Sequence, residues 1–224
     1  MPLAALSRPT LLALSLGACA MPEESRMTAA PTPSRAAACD APATAAARPS
    51  PDAARHDLLS HAVTARIAVP PDRFAAWFAA APLERLLPGT ADLPGVTGTA
   101  PLGSLPFPEP GARRLVCLAD GGTALEEVLA HLPGQRLAYM VWDYSTPAAR
   151  PIEYGMGEFR FAAEAGGTRV DWRYAFALRQ DRFPGSLGAL GRGLFRLAFL
   201  DTRYARFMAA GMAAIEREAL AAAR

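Results

Sequence analysis

A chain of 224 residues with a formal charge of +2, whose 23 basic residues are all arginine and are scattered among 21 acids, lacks the clustered basic patch that nucleic-acid binding requires. Setting aside an N-terminal tract of 57 residues leaves 224 − 57 = 167, a length that suits one domain with one core and needs no disulfide or structural metal for stability. The three cysteines stand in unlike surroundings, Cys19 in an apolar leader, Cys39 in a Pro/Ala tract and Cys117 in a strand-like run, so neither a disulfide framework nor a metal site is expected, and no cofactor.

The first 57 residues are dominated by Ala, Pro, Ser, Thr and Arg and lack the periodicity of a packed element, which predicts a disordered linker over residues 20–57. Ahead of it, Arg8 precedes the apolar run 11–18, which is too short to span a bilayer and fits a secretory leader. Leu16, Gly17, Ala18 and Cys19 resemble a bacterial lipobox. That resemblance implies a signal peptide over residues 1–19, lipidation of Cys19 and a membrane-tethered lipoprotein of the cell envelope, with Ala20 favouring the outer membrane. The alternative is a cytoplasmic protein whose translation starts at Met21 or Met27.

Periodic order begins near Leu58. Residues 61–69 alternate, with Val63, Ala65, Ile67 and Val69 on one face, as in a half-buried strand. Pro70 and Pro71 end it and open a helix in which Asp72 suits the positive helix terminus and Phe74, Trp77 and Phe78 share a face. A second short helix follows at 83–87 and stops at Pro88 and Gly89. Strands are then predicted at 96–102, 113–119, 123–132, 137–144, 152–161 and 168–178. They are joined by a proline-rich loop at 101–110 and by the turn signals Asp120-Gly121-Gly122, Pro133-Gly134 and Ala165-Gly166-Gly167. Short connections make these an antiparallel meander. In the last strand Val170, Trp172, Tyr174, Phe176 and Leu178 share one face and Arg169, Asp171, Arg173 and Arg179 the other, so one side packs and one is wet.

The C-terminal pattern is helical, with Leu190, Leu194, Leu197, Leu200, Tyr204, Met208, Gly211, Ile215 and Ala219 at steps of three and four. Its stripe needs cover, and the concave face of the sheet is the apolar surface left to supply it. The expected architecture is α+β: a curved, six- to seven-stranded antiparallel sheet wrapped around a long C-terminal helix, with two short helices after the first strand, all within residues 58–224.

This order is similar to that of the START-like superfamily, the SRPBCC or polyketide cyclase/dehydrase type with a helix-grip fold. The local echoes run from Val69-Pro70-Pro71-Asp72-Arg73-Phe74 and Leu86-Leu87-Pro88-Gly89 through Gly111-Ala112-Arg113-Arg114, Ala119-Asp120-Gly121, Glu126-Glu127-Val128 and Leu137-Ala138-Tyr139 to Gly167-Thr168-Arg169-Val170-Asp171-Trp172. The resemblance implies an apolar cavity between sheet and helix that binds a hydrophobic small molecule such as a lipid, a polyketide or an aromatic compound. Tyr139, Val141, Phe159, Trp172, Tyr174, Leu197, Tyr204 and Met208 are its expected ligand-binding residues. Met140, Tyr144, Tyr154 and Met156 add to the pool of side chains able to line a pocket or fill a core. The alternative is a polyketide cyclase/dehydrase-like enzyme in the same cavity, with Glu126, Glu127, Asp143 and Tyr139 as acid–base candidates. Glu153, Tyr174 and His131 extend that set, His131 being expected to stand exposed beside its turn. Glu126 and Glu127 must point to opposite sides of their strand, and ion pairs with Arg113 or Arg114 are the competing role for both.

Overall fold

A computed structural model of the chain describes Cys39, residues 46–51 and residues 58–224. The leader and Cys19 lie outside the described residues, as does most of the expected linker. Strand β1 (Leu59–Ile67) is followed by helices α1 (Pro71–Ala80) and α2 (Leu83–Leu86), then by β2 (Val96–Leu102), β3 (Arg113–Leu118), β4 (Thr123–Leu132), β5 (Arg136–Trp142), β6 (Ile152–Glu164) and β7 (Gly167–Leu178). The chain ends in α3 (Gly188–Phe195), a π-helical stretch (Arg196–Tyr204) and α4 (Ala205–Ala222).

All seven strands join one antiparallel sheet in the order β1-β7-β6-β5-β4-β3-β2, a meander whose first strand returns to close on the last. Turn glycines Gly121 and Gly166 have φ of +80° and +84°, values that a side chain would strain, which is why these hairpins turn there. The buried hydroxyl of Thr168 donates to the Val69 carbonyl at 2.8 Å and pins the end of β1 to β7.

The inner face of the sheet carries Leu137, Tyr139, Val141, Phe159, Val170, Trp172, Tyr174, Phe176 and Leu178, which share one core with Phe74 of α1, Leu86 of α2 and Leu200, Tyr204, Met208 and Ile215 of the terminal helix. Burying a large apolar side chain of this kind stabilises by roughly 1.5–3 kcal/mol, so the terminal helix is held mainly by its inward row. Gly211 lets α4 approach closely: a methyl group there would stand 3.1 Å from both the Trp172 ring and Leu87.

Two expectations need correction. The stripe from Leu200 onward is buried as expected, but Leu190, Leu194 and Leu197 are 74%, 42% and 73% exposed. The cause is the π-helical stretch, in which the Ala205 N–H bonds back five residues to the Leu200 carbonyl. Wider turns shift the phase of everything upstream, and Gly191 and Phe195 take the inward positions instead.

The second correction concerns the cysteines. Cys39 and Cys117 form a disulfide, with Cα atoms 5.8 Å apart across 78 residues of sequence. Cys117 points outward from β3, where Leu115, Leu125, Met140, Trp142, Tyr154 and Ala177 make a second apolar cluster on the outer face. The described part of the tract lies against that face. The Trp142 indole donates to the Ala46 carbonyl at 3.3 Å, the Tyr154 hydroxyl to the Pro51 carbonyl at 3.3 Å, and Arg48 pairs with Glu127 at 3.4 Å. Outward-facing aromatics with polar tips attract a segment rich in backbone carbonyls.

Candidate functional site

Between the inner face of the sheet, α1, α2 and the terminal helix lies a cavity of about 230 Å³. At about 30 Å³ per water in the liquid this is room for roughly seven or eight molecules, more than a packing defect leaves. Alternation along the strands decides who lines it. Ala124 and Glu126 of β4, Leu137, Tyr139 and Val141 of β5, Phe159 and Phe161 of β6, and Trp172, Tyr174 and Phe176 of β7 all face it. Phe78 of α1, Leu86 of α2 and Phe199, Tyr204 and Phe207 of the terminal helix complete the wall.

Glycine makes room for two of the cavity's tyrosines. Gly155 and Gly157 point inward from β6, and a methyl group would stand 2.3 Å from Tyr174 at the first and 2.1 Å from Tyr139 at the second. The two tyrosine rings therefore lie across bare backbone, which a side chain at either position would forbid.

Polar groups in the cavity are few and linked. Arg114 donates through Nη2 and Nε to Glu126 Oε1 at 2.7 and 3.1 Å, and both side chains are nearly enclosed. The Arg114 guanidinium lies 3.6 Å above the ring of Phe107, which the proline-rich loop between β2 and β3 sends back into the cavity. Burial pushes the Glu126 carboxyl above its ordinary range, and Arg114 opposes that rise. The Trp172 indole donates to the Tyr139 hydroxyl at 3.2 Å, and the hydroxyls of Tyr144 and Tyr174 are 3.1 Å apart. Burial raises all four phenols, Tyr139, Tyr144, Tyr174 and Tyr204, above the usual tyrosine range, so they remain protonated donors. Tyr139 accepts from Trp172, which leaves its own proton to donate.

Of the residues expected to bind ligand, Tyr139, Val141, Phe159, Trp172, Tyr174 and Tyr204 line the cavity. Leu197 does not, being turned to solvent by the π-helical phase shift, and Met208 is wholly buried in the core beyond the cavity wall. Among the acid–base candidates Glu126, Tyr139 and Tyr174 face inward. Glu127 points outward to Arg113 at 2.6 Å and to Arg48, so each glutamate meets one of the two arginines foreseen for it. Asp143 is exposed, with a φ of 54°, and beside Glu153 it borders a cleft on the outer side. His131 is only half-exposed and lines the cavity's rim, because an irregularity between Val128 and Ala130 reverses the alternation of β4. Met140, Trp142, Tyr154 and Met156 belong to the outer cluster, as alternation with Tyr139 and Gly155 requires. Arg114 and Phe107 were not anticipated as cavity residues, nor Gly155 and Gly157 as the seats of Tyr174 and Tyr139. The two glycines had a readable signal, a pair two apart inside a strand pattern.

Comparison with known proteins completes the picture. Among solved structures, the di-domain ARO/CYC protein BexL of the BE-7585A biosynthetic pathway superposes with a TM-score of 0.51 at 22% identity, over 72% of this chain and 50% of that one. Major latex-like protein 151 of Panax ginseng gives 0.51 at 15%, over 73% and 98%, and Ara h 8.0201 gives 0.50 at 14%, over 73% and 99%. At these identities the likeness is one of fold. Comparison with curated protein sequences finds no match. The family model described as polyketide cyclase / dehydrase and lipid transport matches residues 60–219, and with a START-like domain over most of its length the chain belongs to that family.

Proposed function

We propose that the protein binds a hydrophobic small molecule, largely aromatic or alicyclic, with one oxygen-bearing end. The observation that carries this reading is the cavity, apolar over most of its wall, whose few polar groups converge as donors: Tyr139, the Tyr144–Tyr174 pair and Arg114. A mostly apolar pocket with a few placed polar groups is the usual form of a small-molecule site. A guest carbonyl or hydroxyl oxygen meets the tyrosine protons while its apolar body displaces water from the ring faces. The test is thermal unfolding of delipidated full-length protein against a panel of fatty acids, sterols and polycyclic phenols, with Trp172 fluorescence as the local readout. A ligand at a hundred times its Kd stabilises by about 2.7 kcal/mol, so a true guest raises the Tm clearly. No stabilisation across the panel overturns the reading.

A second reading, acid–base catalysis of the cyclase or dehydratase type, is supported by Glu126, an enclosed carboxyl whose proton affinity is raised inside the cavity. If Glu126→Gln and Tyr139→Phe each leave turnover of a candidate polyketide intact, it is abandoned.

For location we propose the cell envelope, with the mature chain anchored through Cys19. The lipobox-like sequence supports this, and so does the Cys39–Cys117 disulfide, which persists in oxidising compartments. Mass spectrometry of the protein from its native host decides: a diacylglyceryl group on Cys19 confirms the anchor, and an intact start at Met21 or Met27 refutes it.

A further inference from the structure

The loop between β2 and β3, residues 103–112, is anchored firmly at one end. There the Gly111 N–H donates to the Val128 carbonyl at 2.8 Å, and the Val128 N–H donates to the Ala112 carbonyl at 3.0 Å. Further out, among the described residues, its backbone hydrogen bonds stay within the loop: the Glu109 N–H reaches the Pro106 carbonyl and the Ala112 N–H the Glu109 carbonyl, both at 2.9 Å. Pro106, Pro108 and Pro110 have no N–H to offer. Residues 103–106 are exposed, and the loop meets the cavity through Phe107 and Pro108. Side-chain contact, rather than backbone pairing, therefore holds the outer part of the loop against the domain.

Phe107 has a specific partner there. The Arg114 guanidinium carbon stands 3.6 Å from the centroid of the Phe107 ring, a cation–π contact largely screened from bulk water. Arg114 is the fixed member of that pair. It faces Glu126 in register across β3 and β4, its Nε and Nη2 both donate to Glu126 Oε1, and its side chain is only 13% exposed. With its edge engaged by the carboxylate, the guanidinium keeps a flat cationic face for stacking. An aromatic ring is attracted to that face, and a saturated ring gains no comparable attraction.

We infer that Phe107 is an internal stand-in for the guest: it fills a subsite over Arg114, and an aromatic ring of the guest binds there by displacing it while the loop 103–110 swings outward. This rests on the reading of the cavity as a site for hydrophobic small molecules, and it narrows the guest to one that carries an aromatic ring. The exchange costs little, because one cation–π contact replaces another over an arginine that does not move. A saturated guest would forfeit that contact by entering the subsite, so it binds elsewhere in the cavity with the loop closed. Gly103 and Gly111, with φ of +101° and +87°, bracket the moving segment and serve as its hinges.

The test compares 2-naphthol with its saturated counterpart, decahydro-2-naphthol, by isothermal titration calorimetry on the full chain and on Phe107→Ala and Phe107→Leu. Removing the internal competitor is expected to raise affinity for 2-naphthol by about threefold to tenfold and to leave that for decahydro-2-naphthol unchanged. Phe107→Leu keeps an apolar side chain on the loop, so the same gain in that variant assigns the effect to the lost ring. Hydrogen–deuterium exchange supplies a second readout. Exchange over 103–109 is expected to quicken in both variants without any guest, and in the parent when 2-naphthol binds, with β3 and β4 unaltered. Slower exchange in the 2-naphthol complex, or a loss of affinity for both probes in the variants, makes Phe107 an ordinary part of the wall and overturns the inference. Binding of decahydro-2-naphthol with no selective gain for 2-naphthol overturns it too, and leaves the broader reading of the cavity standing.

Discussion

The two faces of the sheet are built from the same strands by the same alternation, yet they meet opposite fates. Inward-facing Tyr139, Phe159, Trp172 and Tyr174 are covered by the terminal helix but leave a cavity, with the two tyrosine rings seated over Gly155 and Gly157. Outward-facing Leu125, Met140, Trp142 and Tyr154 form a second cluster whose Trp142 and Tyr154 hydrogen-bond the extended segment 46–51, with a disulfide holding Cys39 to β3 beside it. A helix spans a curved sheet at a distance set by its side chains, whereas an extended chain follows the surface it lies on. The inner face therefore has room for a guest, and the outer face, among the described residues, is met by a segment of the chain itself.

The largest expected effect comes from removing the inner face's anchor. Trp172 is 1% exposed and stacks on Phe159 at 5.0 Å, so Trp172→Ala is expected to cost about 3–5 kcal/mol in urea unfolding and to lower affinity for any cavity guest. On the outer face the matching change is Cys39→Ser/Cys117→Ser. Opening a loop of 78 residues is expected to cost about 2–4 kcal/mol, while affinity for a cavity guest stays the same because the bond lies across the sheet from the site. A loss of guest affinity in the cysteine variant would show that the two faces are coupled.

How far these faces were readable in the sequence depends on the range of the interaction involved. The alternation of β7, from Val170 to Leu178, assigns its inward residues correctly because a strand's period is local. The same logic foresaw the pairing of Glu126 and Glu127 with neighbouring arginines on opposite sides. Local irregularity defeats it. One irregularity in β4 carries His131 to the cavity rim, and the π-helical turns rotate Leu190, Leu194 and Leu197 out of the stripe they extend on paper. The disulfide was invisible for the opposite reason, since no periodicity links Cys39 to a strand 78 residues away.

A smaller effect tests the donor role of the cavity. Tyr139→Phe removes the acceptor for the Trp172 indole and is expected to cost about 1 kcal/mol of stability. If the Tyr139 proton meets a guest oxygen, the same change weakens binding of an oxygen-bearing guest and leaves that of its hydrocarbon analogue unaltered, as paired titrations by Trp172 fluorescence will show.

The smallest effect sets the faces against each other through pH. On the inner face burial raises the Glu126 carboxyl despite Arg114. In the folded state Glu126 thus binds a proton more tightly than in the unfolded chain, so its contribution favours folding at low pH and fades as pH rises through the raised folded value. On the outer face burial pushes Glu158 upward too, but hydrogen bonds and charge from Arg136 and Arg160 outweigh it and hold the carboxyl below its ordinary range. Its contribution is therefore present above the usual carboxylate range and is lost as pH falls through the lowered folded value. Unfolding by urea across acidic to neutral pH should show opposite changes in slope: Glu158→Gln flattens the loss of stability below the ordinary carboxylate range, and Glu126→Gln removes a gain that appears above it on acidification. Partial exposure of Glu158 keeps its share small. Equal slopes in the two variants would mean that the inner ion pair is as well solvated as the outer one, and the burial of Glu126 would have to be given up.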